Sequence, residues 1–491
     1  MEVIQEPRLF WALLAPLVGA GLVMATGRRP NLREACSFLA AAALFGLVAS
    51  LLPAVLQGRI LRLTLLPLLP GLSLALRADA LSMIFALSAS FLWMVTVFYS
   101  AGYMRGLQEH CQTRFNVCFA LALFGAIGCA FADNLLTLYL FYEVVSITTY
   151  PLVAHHQDDE GYEGGRKYLV YLTGTAKALL LPALVVVYVL CGTLDFATTA
   201  GPGILPADVS RVLQTGLYLA FLLGFAKNGV MPLHHWLPGA MVAPTPVSAL
   251  LHAVAVVKVG VFSTVRVMLH VFGLERIADL GLALPTAWFV SATILLASVI
   301  ALTQDNLKLR LAYSTVSQLS YIILGVALLT PSGIEGGLFH IAAHAFGKIT
   351  LFFCAGAIYV ASHRKNISEM RGLGRVMPWT FGAFALAALS MIGAPPVGGF
   401  VSKWSLLLGA WEAGSLGIMA VLLTSTLLNA AYFAPVVYQA FFGEPPAAQE
   451  PHPHGEASPA MVIPLVLTAL ISVALGFYPD WILNLTQRVL P

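Results

Sequence analysis

The chain of 491 residues is 59% hydrophobic and only 10% charged, with a formal net charge of +3. A soluble protein of this length keeps roughly a quarter of its residues charged, so these residues cannot cover a water-facing surface, and the chain reads as a polytopic membrane protein. The small net charge, with no basic run and no aromatic–basic interleaving, excludes nucleic acid as a partner. The six cysteines (Cys36, Cys111, Cys118, Cys129, Cys191 and Cys354) form no C-x-x-C pair, which excludes iron–sulfur, c-type haem and zinc-ribbon centres.

Taken in order, apolar runs long enough to cross a bilayer fall near 9–27, 36–56, 79–101, 113–131, 133–154, 167–191 and 211–231. They continue near 244–270, 281–303, 311–330, 335–360, 378–411 (broken), 417–442 and 460–479. The expected fold is all-α, with about fourteen transmembrane helices. The start, MEVIQEPRLFWALLAPL, lacks the basic segment and small-residue cleavage site of a signal peptide, so its first run reads as a retained span. Residues 57–77, with two arms around Leu69-Pro70-Gly71, read as a span or as a strand-like hairpin on the membrane surface. No soluble domain is expected, and the longest polar stretch is the Pro-rich 443–459. Lys and Arg concentrate on alternate loops (Arg28, Arg29, Arg33, Arg105, Arg114, Arg166, Lys167, Lys308, Arg310, Arg364, Lys365, Arg371, Arg375). The positive-inside bias therefore predicts both termini on the external side of the cell membrane.

Two spans are interrupted. GFAKNGVMPLHHWLPGAMVAPTPVS (224–248, with Pro232) and MIGAPPVGGFVSKWS (391–405, with Pro395 and Pro396) place Gly and Pro where a helix should continue. Such breaks at membrane depth persist only inside protein or along a wet cavity. They fall in spans seven and twelve, five apart and hence antiparallel, a layout that points to an inverted-repeat transporter.

The strongest chemical signal is a set of ionisable residues inside spans: Glu143, Lys177, Lys227, His252, Lys258, His340, His344, Lys348 and Lys403. A charge at the bilayer centre costs at least about 2.5–3.5 kcal/mol, so these groups should face one another and trapped water. In HIAAHAFGKIT (340–350), two histidines and a lysine at i, i+4 and i+8 share one helix face. Zinc is disfavoured there, because the glutamate of H-E-x-x-H is missing and Lys348 would repel a cation. A proton relay suits imidazoles that both donate and accept. Plainer alternatives stand beside several of them: a structural ion pair for Glu143, capping of freed carbonyls for Lys227, a satisfied interior imidazole for His252, a packing role for His340 and His344, and snorkelling for Lys177, which is kept as an accessory. Asp79, Asp133, Asp305 and Glu369 lie near span ends, where capping or solvated roles are expected.

These residues carry a resemblance. KNGVMPLHHWLPGAMVAPTPVSALLHAVAVVKVGVF, QDNLKLRLAYSTVSQLSYIILG, HIAAHAFGKITLFFCAG and GAPPVGGFVSKW resemble the antiporter-like membrane subunits shared by complex I, Mrp-type cation/proton antiporters and membrane-bound hydrogenases. The likeness runs from about Asp79 through the last span. It implies two inverted five-helix repeats, spans four to eight and nine to thirteen. On that basis residues 1–112 are N-terminal helices, 113–270 a first repeat, 281–442 a second, and 443–491 a loop and C-terminal helix. It further implies that Glu143 matches the family's span-five carboxylate and Lys227 its paired lysine. Lys258 and His252 match span eight, His340, His344 and Lys348 span eleven, and Lys403 span twelve. Lys177 lies outside the motif set.

Together the two lines imply proton movement from the inner side through the Glu143–Lys227 half, across Lys258, His252, His344 and Lys348 by way of water, and out past Lys403. Glu143, moving toward or away from Lys227, would act as the electrostatic switch. The expected function is a proton-translocating subunit of a redox-driven pump, with no cofactor or redox centre in this chain. The expected partners are other integral membrane subunits, antiporter-like paralogues among them, together with lipid, H⁺ and, in one reading, Na⁺. A subunit of an Mrp-type Na⁺/H⁺ antiporter is the alternative. A quinone- or haem-binding electron-transfer subunit ranks below both, because no axial-ligand arrangement is present.

Overall fold

A computed structural model describes residues 2–444 and 455–490 of the chain. Most of the Pro-rich 443–459 stretch therefore lies outside the described residues. Helices dominate because a backbone in hydrocarbon must satisfy its own polar groups. In chain order they are α1 (Arg8–Ala25), α2 (Pro30–Leu56), α3 (Ala80–Gly106), α4 (Gln112–Ala130), α5 (Leu135–Val153), α6 (Asp159–Cys191), α7 (Arg211–Gly224) and α8 (Thr245–Phe272). They continue as α9 (Ala283–Thr303), α10 (Leu307–Ala327), α11 (Pro331–Ser362), α12 (Pro378–Ile392), α13 (Gly398–Glu412), α14 (Leu416–Phe442) and α15 (Pro459–Phe477). Among the described residues, eleven are long and apolar enough to cross a bilayer, and α7 and α12 are shorter apolar helices. α10 has the length, but Ser314, Thr315, Ser317, Gln318 and Ser320 make its buried face polar.

Caps explain where several helices begin. Asp158 accepts from the Gly161 N–H and starts α6 well before the apolar run at 167, with the polar DEGYEGGRK forming its first turns. Asn306 and Thr330 likewise start α10 and α11 a few residues ahead of their apolar runs. Asp79 caps α3 through the Ser82 N–H, and Glu369 closes a capping box with Asn366. Asp133 departs from its expected role: Asn134 caps α5, while Asp133 is buried and ion-paired with Arg62.

Residues 57–77 form the hairpin rather than a span. β2 (Ile60–Leu69) and β3 (Leu72–Ala78) pair antiparallel, and β1 (Val3–Gln5) adds parallel to β2. Arg488 and Val489 line the same small cavity as Gly58 and Arg59, so both termini lie at the sheet end of the molecule.

α8 and α11 are enclosed along their whole apolar stretch, whereas α1, α2 and α6 expose much of theirs. Large apolar side chains such as Trp11, Leu39, Val189, Leu427 and Ile463 cover the outside, as a hydrocarbon-facing surface requires. α11 packs on α3, α8, α10, α12, α13 and α15 and forms the axis of the C-terminal part.

Candidate functional site

Both helix breaks occur where Gly and Pro foretell them. After α7 the chain runs through one tight turn at Ala226–Asn228, a non-helical stretch holding Pro232, and short turns to Val242. α12 ends at Ile392, and α13 begins at Gly398, with Pro395 and Pro396 between. Gly260 of α8 lets the first break come close: a Cβ there would lie 2.2 Å from the Lys227 carbonyl carbon and the Asn228 nitrogen.

Each break sets a lysine. Lys227 is wholly buried and donates to the Tyr142 carbonyl oxygen (3.0 Å) and to Ser146 Oγ (2.7 Å), both on α5. Lys403 donates to the Met391 and Ile392 carbonyls (2.7 and 3.0 Å) that the end of α12 leaves free. The carbonyl-capping role weighed for Lys227 thus belongs to Lys403.

Glu143 does not touch Lys227. Its Oε1 is buried without a hydrogen-bond partner, no ion pair joins the two among the described residues, and the charges that act on it are those of Lys227 and Lys177. Lys177 sits in a π-turn (Ala176–Leu180) near the middle of α6, and its side chain is on the outer surface. His252 also lies in a π-turn (Leu250–Val254), a local widening frequent at functional positions. Its ring lies tilted against that of Phe352, centroids 4.7 Å apart, and neither of its ring nitrogens is hydrogen-bonded.

The other predicted residues converge between α8, α10, α11 and α13. Lys258 Nζ lies 2.7 Å from His344 Nδ1, both buried. Two charges at that distance inside the protein repel strongly, so the pair holds at most one added proton. The His344 and His340 rings are 5.8 Å apart. His340 then contacts Gln318 Oε1 through Nε2 (3.0 Å) and Ser402 Oγ through Nδ1 (2.8 Å).

The Gln318 amide settles a tautomer. Its Nε2 donates to the Met391 carbonyl (3.3 Å), so Oε1 faces His340 as an acceptor and His340 must carry hydrogen on Nε2. Proton exchange at His340 is thereby left to Nδ1 and Ser402. Neutral His340 accepts from the Ser402 hydroxyl; protonated, it donates to Ser402 Oγ, which donates on to the Gly399 carbonyl (3.1 Å).

Lys348 lies beside this row. It donates to the Leu311 carbonyl (3.1 Å) and Ser314 Oγ (2.8 Å), and the Tyr432 hydroxyl joins Ser314 to Asn429. Asn429 returns to the Met391 carbonyl at 3.1 Å, so that one oxygen anchors Gln318, Lys403 and Asn429. The structure therefore gathers Glu143, Lys177 and Lys227 in one group and Lys258, His344, His340, Lys348 and Lys403 in another. No direct hydrogen bond joins the groups among the described residues.

Gln318, Ser402, Ser314, Tyr432 and Asn429 escaped the sequence reading, although Gln318 and Ser314 sit inside one quoted motif and Ser402 inside another. Arg266 escaped it too. Fully buried on α8, it makes two bonds to Asp79 (2.6 and 2.8 Å), which Arg77 also contacts at 2.9 Å. Burial opposes ionisation of Asp79, but Arg266 and Arg77 outweigh it and hold the carboxyl well below its ordinary range.

Residues 132–429 match the family described as NADH:quinone oxidoreductase/Mrp antiporter, TM. The chain is 34% identical over 423 residues to NADH-quinone oxidoreductase subunit N of Desulforudis audaxviator, covering 82% of each. It is 33% identical over 486 residues to NADH-quinone oxidoreductase subunit L of Mycobacterium tuberculosis, covering 95% of this chain and 74% of that one. A chain of the Mrp complex from Dietzia sp. DQ12-45-1b has the same fold, with a TM-score of 0.87 at 23% identity over 98% of this chain and 96% of its own.

Proposed function

Because the chain belongs to the NADH:quinone oxidoreductase/Mrp antiporter transmembrane family, we propose that it is an antiporter-like subunit of a multi-subunit ion pump and moves protons along its buried Lys–His row. The observation that carries this reading is the Lys258–His344 contact at 2.7 Å in an interior with no exposed face. A pair sharing one proton beside a second imidazole is a relay: it releases the proton from the unpartnered His344 Nε2 into water that carries it to His340 Nδ1, while His340 Nε2 stays committed to Gln318. From His340 the route continues over Ser402 to the neighbourhood of Lys403. The Met391 carbonyl has no proton to pass and serves as an anchor.

Protons reach Lys258 from the Glu143–Lys227 group through water, and movement of Glu143 relative to Lys227 gates that step. His252, buried against Phe352 of α11 with both ring nitrogens unpaired, is available to exchange protons with water beside the row. Fourteen spans result when α7 with its break counts as one and α12 with α13 as one. Spans four to eight and nine to thirteen then form the two inverted repeats, and both termini lie outside, in line with the basic loops at the opposite end.

Lys177 supports a neighbouring membrane subunit. An outward-facing ammonium near the middle of an apolar helix would cost about 2.5–3.5 kcal/mol against lipid, and a partner with a polar group at that depth removes the cost. Purification of the complex distinguishes the two energetic readings. Redox subunits carrying iron–sulfur centres accompany a redox-driven pump; small membrane subunits alone accompany a Na⁺/H⁺ antiporter. If the chain purifies alone and moves no ion, the reading fails.

A further inference from the structure

At the end opposite the termini, the loop after α3 and the loop after α5 bring four side chains together: Glu109, His110, His155 and His156. None belongs to the buried row. One donor atom from each of Glu109, His110 and His155 lies within 4.8 Å of the others. His155 Nε2 is 3.8 Å and His110 Nδ1 3.9 Å from Glu109 Oε2, while His156 Nε2 is 3.3 Å from Oε1. His155 is wholly buried, yet neither ring nitrogen has a hydrogen-bond partner. Buried polar groups are rarely left idle, and this one faces a carboxylate and a second imidazole. Its backbone is fixed, because Arg114 donates to the His155 carbonyl at 2.7 Å.

We propose that Glu109, His110 and His155 form a binding site for a divalent transition ion of the zinc type, with His156 holding the second carboxylate oxygen. Two imidazoles and a carboxylate with a fourth position open to water are a zinc donor set; calcium and magnesium prefer oxygen alone. Zinc–ligand distances of about 2.0–2.2 Å place tetrahedral donors about 3.3–3.6 Å apart, so the present spacing needs only small side-chain shifts. The hydrogen bond from His156 orients the carboxylate, as outer partners of metal ligands do.

The site has a consequence for transport. Glu109 and His156 also line a cavity of about 590 Å³ that reaches Lys308, Lys365 and Thr245 at the start of α8. A bound ion would tie the two loops together at its rim and slow proton uptake, a consequence that rests on the transport reading, whereas the binding itself does not.

The test uses the full chain in its complex, with radiolabelled Zn²⁺ in equilibrium dialysis and zinc-edge X-ray absorption. His110→Ala and Glu109→Gln should each weaken zinc binding at least about tenfold and remove one nitrogen or oxygen scatterer from the shell. His110→Ala should leave metal-free pumping unchanged, since the side chain is exposed and outside the row. Absence of micromolar zinc binding, or variants that bind as tightly as the parent, overturns the site. Zinc that binds through these ligands without slowing pumping overturns the transport consequence and leaves the proton row to its own tests.

Discussion

Gln318 makes the sharpest claim on the geometry of the row. Its side chain joins His340 Nε2 to the Met391 carbonyl, and Gln318→Leu removes both contacts at similar volume. Met391 keeps Lys403 and Asn429 as donors, so the group left without a partner is the buried His340 N–H. An unsatisfied buried donor costs about 1–3 kcal/mol. If that cost falls on the step through His340, proton transfer slows about 5- to 150-fold, at about 1.4 kcal/mol per tenfold. The complex should still assemble, because the same loss is a fraction of the about 5–15 kcal/mol typical of a folded protein. The assay is proton uptake into inverted vesicles, normalised to assembled complex. A Gln318→Leu complex that assembles and pumps within twofold of the parent would refute the tautomer argument.

Three further outcomes follow from other parts of the molecule. Lys227→Ala should abolish pumping with the complex intact by native gel; failure to assemble would mark a structural lysine instead. Gly260→Ala puts a methyl 2.2 Å from the Lys227–Asn228 backbone, so it should lower stability by about 1–3 kcal/mol and reduce pumping, read by thermal melting and vesicle uptake. Asp79 is held below its ordinary range by Arg266 and Arg77, so its contribution is complete above an unfolded value of about 3.9 and is lost as pH falls through the lower folded value. Melting temperature should therefore carry no Asp79 dependence between pH 5 and 8, while Asp79→Asn, which strands two buried arginines, should cost about 3–5 kcal/mol throughout that range.

What could be read from residues alone follows from what is costly in a membrane. Lys227, Lys258, Lys348, Lys403 and the histidines stand out because a charge in an oily run demands a reason, and the two breaks stand out because Pro and Gly cannot continue a helix. Gln318, Ser402 and Asn429 carry no such cost, and neutral polar residues are common between packed membrane helices. Their importance emerges only when Met391 is seen to gather three donors on one carbonyl. Arg266 lies near the end of its span, where a long cation ordinarily reaches for water, and its bidentate contact with Asp79 comes from 187 residues away. The zinc-type cluster was invisible for a related reason. Glu109 and His110 are ordinary loop residues until the fold sets them against His155 and His156 from another loop.

The order of the row also changed on folding. The expected route set His252 between Lys258 and His344, whereas His252 lies in a π-turn against Phe352 and Lys258 meets His344 without an intermediary. The expected Glu143–Lys227 pair is likewise apart, because Lys227 is held by the Tyr142 carbonyl and Ser146 on the same helix that carries Glu143. In this conformation the carboxylate is free to respond to Lys177 as well.

The most direct measurement is proton translocation by the assembled complex carrying Lys258→Met, which keeps the packing volume and removes the proton carrier from the contact with His344. The account predicts an intact complex that moves no protons through this subunit. Undiminished translocation in that variant would contradict it.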